Sequence, residues 1–217
     1  LDIKWETAAG PTTDTLGRQF RELAGKPGLP ARSDGDANAA AQAATKIEAT
    51  YEFPYLAHAP MEPLNAVVDL KADHCTVWCG TQFQTIDQLA IASTAGLKPE
   101  QVTLNTMTAG GGFGRRAVPT SDYLVEAVNI AKAMKQSGID APVKVIWSRE
   151  DDIRGGYYRP LVVHRVVAGL DAGNTLRGWN HTIVGQSILK GTPFEKDMVK
   201  DGIDATTTEG IVEVMRG

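Results

Sequence analysis

The sequence is short of cysteine, of histidine, of aromatic residues and of positive charge. In 217 residues it has two cysteines, four histidines and 6% aromatics, and lysine plus arginine fall below aspartate plus glutamate, 22 to 26. The resulting net charge of −4 argues against a nucleic-acid surface, which needs a basic excess to neutralise phosphates. Two thiols cannot supply the ligand set of an iron–sulfur cluster. No apolar run approaches the roughly 20 residues that cross a bilayer, so no membrane span is expected. The opening "LDIKWETAAG" has neither the basic nor the apolar region of a secretory signal.

The two cysteines, Cys75 and Cys79, sit in "HCTVWC". On an extended strand they share a face but stand roughly 13 Å apart, too far for a disulfide. Alone they cannot complete a tetrahedral zinc site, and His74 would point to the other face. They are expected to be half-buried thiols in a sheet.

What is present is a globular composition, 42% hydrophobic and 22% charged, in a chain long enough for a buried core. "LDIKWE" alternates like an edge strand. "DTLGRQFRELAG" places Leu16, Phe20 and Leu23 on one helix face, with Asp14 as N-cap and Gly25 as stop. The Ala-rich "DANAAAQAATKIEA" reads as a helix capped by Asp36. "TYEFPYLAH" is a strand, and "NAVVDLKADHCTVWCGT" is a pair of strands turning at Lys71–Asp73. "TQFQTIDQLAIASTAGL" is a helix, with a Thr85/Gln88 capping box and Gly96 at its end. "QVTLNTMTA" is a strand. "TSDYLVEAVNIAKAMKQSG" is a helix, capped by Thr120 or Ser121, with Leu124, Val128, Ala131 and Met134 on its apolar face. "PVKVIWS" is a strand, and "HRVVAGLDAGNTLRGWNHTIVG" is a hairpin turning at Asp171–Asn174. These elements predict an α+β fold with a mixed, largely antiparallel sheet and helices packed on one face. The expected organisation is a leading strand, helix and connector over residues 1–30, a core over 31–190 and a weakly patterned tail over 191–217.

One stretch stands out chemically, "TAGGGFGRR" at residues 108–116. Glycines accept positive φ and let another group approach the backbone, and successive N–H groups in such a turn form an anion-binding nest. Arg115 and Arg116 add charge-assisted donors. The stretch is not a P-loop, which ends Gly-Lys-Ser/Thr, nor a dinucleotide fingerprint, whose glycine register differs and which opens directly into a helix. By residue type alone, a ligand loop and a plain glycine turn both remain open.

Four motifs in order carry a resemblance: "YLAHAPMEPLNAVV" at 55–68, "VWCGTQFQ" at 77–84, "TAGGGFGRR" at 108–116 and "PVKVIWSREDDIRGGYYRP" at 142–160. Together they resemble the molybdenum-binding large subunit of the xanthine dehydrogenase and aldehyde oxidoreductase family. The doubled arginine and "AHAPMEP" are most similar to the isoquinoline 1-oxidoreductase beta-subunit branch. The resemblance runs from about Gly28 to about Gly185.

The resemblance implies a molybdopterin cofactor, in its cytosine dinucleotide form. It places Gln82 near the metal or pterin, and Gly110, Gly111, Gly112, Phe113, Gly114 and Arg115 on the cofactor loop, where the Phe113 N–H is the expected contact. His58, Glu62 and Arg116 are implied for the substrate channel. None of these residues is expected to bind the metal directly. Where the purine-oxidising branch carries a basic residue and a glutamate after the loop, this chain has Arg115, Arg116 and Ala117, which points to an aldehyde or N-heteroaromatic substrate. The family's general-base glutamate lies near the end of a longer subunit and has no counterpart here. The chain therefore reads as a fragment, inactive and cofactor-poor alone, whose partners are the rest of the large subunit and a small iron–sulfur subunit.

Other groups have plainer readings. His58 and Glu62 are four apart, but Pro60 and Pro63 prevent the helix that would aim both at one metal. "SREDDIRGGYYR" reads as a solvated loop with surface ion pairs, with Arg149 or Arg159 able to lock the cofactor region. His164 and His181 read as ordinary strand residues. The alternative function is a stand-alone, non-catalytic α+β module that binds an anion or a partner through the glycine loop.

Overall fold

The computed structural model describes residues 4, 6, 10–36, 38–200 and 203–204. The strand expected over "LDIKWE" and most of the tail beyond Lys200 lie outside the described residues. In chain order the elements are α1 (Thr13–Ala24), α2 (Ala39–Gln42), β1 (Thr45–Phe53), β2 (Leu56–Ala57), β3 (Asn65–Leu70), β4 (Cys75–Cys79), α3 (Gln84–Ala95), a 3-10 turn (Pro99–Gln101), β5 (Val102–Thr106), α4 (Asp122–Gln136), β6 (Val143–Ile146), α5 (Arg149–Arg154), β7 (Tyr158–Arg159), β8 (Val162–Leu170), β9 (Leu176–Gly185), α6 (Glu195–Met198), β10 (Val199–Lys200) and β11 (Ile203–Asp204). They form two compact units, one of Leu56–Arg159 and one of Leu1–Tyr55 with Pro160–Gly217. Fold class is α+β with largely antiparallel sheets, as the patterning predicts.

The Leu56–Arg159 unit holds a four-stranded sheet in the order β5-β4-β3-β6. Strand β3 pairs antiparallel with β4 and β6, while β5 runs parallel to β4 across α3. Period-two alternation sends Ala66, Val68, Cys75, Val77 and Cys79 to one face, and there they bury against Ile91 and Ala92 of α3 and Leu124, Val128 and Ala131 of α4. The α4 face is the one its spacing predicts. Both thiols are free and buried, and burial pushes each up to about 11. Gly96 ends α3 at φ 75. The Thr85/Gln88 capping box does not form. Helix α3 begins at Gln84, and the Gln88 amide donates instead to the Pro99 and Val102 carbonyls, tying α3 to the start of β5.

The second unit is built on the antiparallel sheet β1-β8-β9. Phe20 and Ala24 of α1 bury against Leu161 and Val163. Gly169 and Gly178 are required here, because a Cβ at either would stand 2.7 or 2.6 Å from the Ala40 Cα of α2. The β8–β9 turn forms as expected, with the Asp171 carboxylate accepting from the Gly173 and Thr175 N–H groups at 2.9 Å and Asn174 at φ 62.

Three expectations fail locally. Helix α1 is capped by Thr12, in a reciprocal pair with Thr15, not by Asp14. Its buried side is Gly17, Phe20 and Ala24, and Leu23 is left 42% exposed. The Ala-rich run is helical only over Ala39–Gln42. From Thr45 the chain enters β1, TKIEATYEF, whose β-branched and aromatic residues favour a strand and pair with β8 along its whole length. "SREDDIRGGYYR" is not a loop at its start: Ser148 and Asp151 form a capping box that opens α5.

Candidate functional site

Three loops of the Leu56–Arg159 unit meet at one end of its sheet. Parallel pairing of β4 and β5 puts the turn after Cys79 beside the glycine loop after Thr106, and the Met107 N–H donates to the Cys79 carbonyl at 2.9 Å. Ala66 pairs with Cys79, so the residues leading into β3, which include His58 and Glu62, arrive at the same end.

Hydrogen bonds lock these loops together. Glu62 and Gly110 exchange two: the Gly110 N–H donates to the Glu62 carboxylate at 2.5 Å, and the Glu62 N–H donates to the Gly110 carbonyl at 3.2 Å. Asn65 donates to the other Glu62 oxygen at 2.7 Å. The Gly110 amide first, then Asn65, hold the Glu62 carboxyl below the usual glutamate range against the effect of burial. Gln82 Oε1 accepts from the Gly114 N–H at 3.2 Å, and the Gln82 N–H donates to the Arg116 carbonyl at 3.1 Å. A Cβ on Gly112 would overlap the Gln82 amide, and one on Gly110 would stand 2.6 Å from the Glu62 Cβ. The bare backbone is thus needed for close approach by the protein's own side chains.

Both arginines point inward. Arg116 is 1% exposed. It donates to the carbonyls of Gly111 at 3.0 Å, Gly80 at 3.1 Å and Glu62 at 3.3 Å, one from each converging loop. Arg115 is 2% exposed, forms a two-bond pair with Asp122 at 3.0 and 2.7 Å, and lies over the Trp147 and Tyr157 rings. The sequence suggested charge-assisted donors to a ligand, whereas the guanidinium groups are engaged inside the unit. An arginine can supply several donors in a fixed fork, so a carbonyl-rich glycine loop is a natural internal partner for it.

The N–H groups of Gly111, Gly112 and Phe113 have no hydrogen-bond acceptor among the described residues. Gly111 has φ 100, Phe113 φ 55 and Gly114 φ 95. A bulky residue in the left-handed region is strained, and Phe113 is 76% exposed, so side-chain burial does not explain the strain. The Phe113 ring instead lines an open pocket of about 280 Å³ with Leu56, Ala57, His58 and Arg159. His58 Nδ1 is buried without a hydrogen-bond partner. Burial first, then the Arg115 charge, lower the His58 pKa, partly opposed by a hydrogen bond to the Tyr157 backbone.

The loop bases rest on residues of which most were given no role from the sequence. Asp87 is 1% exposed and accepts from the hydroxyls of Thr81 and Ser121, joining the turn after β4 to the residue before α4. Burial raises its pKa, and the two hydroxyls oppose that. Ser121 is the N-cap residue of α4, yet its side chain does not cap the helix; it serves Asp87. Tyr123 also donates to the Gly80 carbonyl at 2.9 Å. Arg149 clamps the His58–Glu62 loop, donating to the Pro60 carbonyl at 2.6 Å and the Met61 carbonyl at 3.0 Å while pairing with Asp152. Only Arg149 of this group was anticipated from the sequence. Asp87 and Asp122 give no local signal, because their partners are distant or incidental in the chain.

Comparison with known proteins places the chain in a family. Residues 25–191 match the model of the molybdopterin cofactor-binding domain. The chain is 38% identical over 133 residues to the isoquinoline 1-oxidoreductase subunit beta of Brevundimonas diminuta, covering 60% of this chain and 16% of that protein. It is 29% identical over 165 residues to the aldehyde oxidoreductase molybdenum-binding subunit PaoC of Escherichia coli O157:H7, covering 76% of this chain and 22% of that one. In fold it is similar to quinoline 2-oxidoreductase from Pseudomonas putida 86, with a TM-score of 0.56 at 17% identity over 70% of this chain and 19% of that one. It thus spans about a fifth of the length of these relatives. The family match covers most of the chain, including every loop of the site, and the protein belongs to the molybdopterin cofactor-binding domain family.

Proposed function

We propose that this chain contributes the cofactor-facing loops of a molybdenum hydroxylase large subunit acting on an aldehyde or an N-heteroaromatic compound. The observation that carries this reading is the row of Gly111, Gly112 and Phe113 N–H groups without acceptors, held partly in the left-handed region next to Gln82. Such a nest fits a ligand rich in oxygen or sulfur acceptors. A molybdopterin group bound there would supply two-electron oxidation of a substrate carbon, with oxygen drawn from water.

The chain's own residues then divide the work. The backbone of Gly111–Phe113 binds and orients. Gln82 spends Oε1 on Gly114, which leaves its Nε2 to donate to the ligand. Glu62 is tied to Gly110 and Asn65, so it positions the loop and does not take a proton. Arg115 and Arg116 act the same way from inside. His58 and the Phe113 ring border the open pocket and face the substrate, and the lowered His58 pKa keeps its ring neutral near neutral pH. The same reading puts the general base on a further part of a longer subunit. The cytosine dinucleotide form of the cofactor, a small iron–sulfur partner subunit as electron acceptor, and weak retention of cofactor by these 217 residues alone belong to the same reading.

The test is molybdenum and pterin content, measured on the longest native form of the protein and on its Gly112→Ala and Phe113→Pro variants, with thermal unfolding as a check on folding. The native form is expected to hold both. The folded variants are expected to lose most of the pterin, because one drives a Cβ into the Gln82 amide and the other both removes the Phe113 N–H and cannot adopt its φ of 55. A native protein without molybdenum, or a folded Phe113→Pro variant with undiminished pterin, would overturn the reading in favour of a non-catalytic binding module.

A further inference from the structure

Two of the chain's four histidines meet in the other unit, on the open face of the β1-β8-β9 sheet. His164 of β8 lies opposite Ile183 and His181 of β9 lies opposite Val166, so the two are diagonal neighbours on one face. His164 Nδ1 and His181 Nε2 are 2.9 Å apart. Each ring is braced by an aromatic neighbour on the same face. Phe53 meets His164 at 5.3 Å between centroids and 82° between planes, and Trp179 meets His181 at 6.2 Å and 84°. The face is otherwise apolar. Ile47, Tyr51 and Ile183 stand on it, and Arg165, which pairs with Glu48, alternates to the opposite side.

We propose that His164 and His181 form a two-imidazole site for a divalent late transition-metal ion, Cu(II) or Ni(II). Bonds of about 2.0–2.1 Å from one ion to two nitrogens this far apart subtend about 90°. That is the cis angle of tetragonal and octahedral ions. A tetrahedral Zn(II) would need the nitrogens roughly 3.3 Å apart. Imidazole nitrogen suits copper and nickel, and no carboxylate shares the face, so magnesium and calcium find no oxygen ligands there. Among the described residues no third histidine, cysteine or carboxylate joins the pair, so water completes the coordination. Binding is then exchangeable, and it staples β8 to β9.

The test uses the 217-residue chain, with copper(II) and nickel(II) salts as probes in a non-coordinating buffer. Calorimetry is expected to show one site per chain, and the copper spectrum in electron paramagnetic resonance is expected to show nitrogen ligation. His181→Gln, at an exposed position, should keep the fold and weaken binding at least tenfold. His164→Asn should do the same. His74→Asn, in the other unit, should change nothing. Metal should raise the melting temperature of the wild type and not that of His181→Gln. Absence of binding, or binding undiminished in folded His181→Gln, would overturn the proposal.

Discussion

Arg116 donates from Nε to the carbonyl of Gly111 at 3.0 Å, closing the glycine loop onto the arginine that follows it. The same guanidinium holds Gly80 and Glu62, so one buried cation fixes the spacing of three loops. Arg116→Met removes these donors and leaves buried carbonyls unpaired. The expected loss is about 3 kcal/mol of unfolding free energy, from hydrogen bonds to a charged donor. Arg116→Lys should recover only part of it, because an ammonium lacks the planar fork. Urea denaturation of the two variants checks both the size and the order.

Phe113 carries strain in the left-handed region at φ 55 while 76% exposed. Replacing it with glycine relieves that strain at little cost in burial. Phe113→Gly is expected to be as stable as the wild type or more stable, by up to about 1 kcal/mol. A clear fall in melting temperature would show that the ring contributes more packing than its exposure implies.

Asp87 is buried, and its pKa is raised by desolvation. A carboxyl whose folded pKa exceeds its unfolded value adds stability below the unfolded pKa, and this is lost as pH rises through the folded pKa. Asp87→Asn keeps one acceptor oxygen for one hydroxyl, and its amide N–H can donate to the other, without the buried charge. The variant should therefore gain on the wild type as pH rises above about 4, with the gap closing toward the acid end. Paired urea midpoints across that range measure it. A gap that is constant with pH would show that Asp87 does not titrate there.

The thiols of Cys75 and Cys79 are buried and pushed up to about 11. At mildly alkaline pH the folded chain should react with almost no alkylating reagent, while in urea both thiols should react as their pKa returns to about 8.5. Mass spectrometry before and after unfolding counts the labels. Rapid modification of either cysteine in the folded chain would contradict its place in the core.

Much of the fold was legible because it follows from local period. The alternation of β3 and β4 and the face of α4 needed no partner to be seen. Gly96 needed only its place after an apolar run, and the β8–β9 turn only its Asp-to-Asn chemistry. Legibility failed where a distant partner overrode local preference. The stretch from Thr45, expected to continue the helix, became a strand because β8 was there to pair with it, and α1 buries Gly17 and Ala24 while leaving Leu23 exposed.

The glycine loop shows the same division. Residue types alone fix a backbone free to take positive φ and rich in N–H groups, and the order of motifs points to a pterin enzyme. Only the tertiary structure decided which way the arginines face. A guanidinium needs acceptors, and the nearest dense set is made of carbonyls that three separate loops bring to one sheet end. Until the strands pair, those carbonyls are tens of residues apart in the chain, and nothing in "GRR" distinguishes an arginine waiting for a ligand from one holding the loops that receive it.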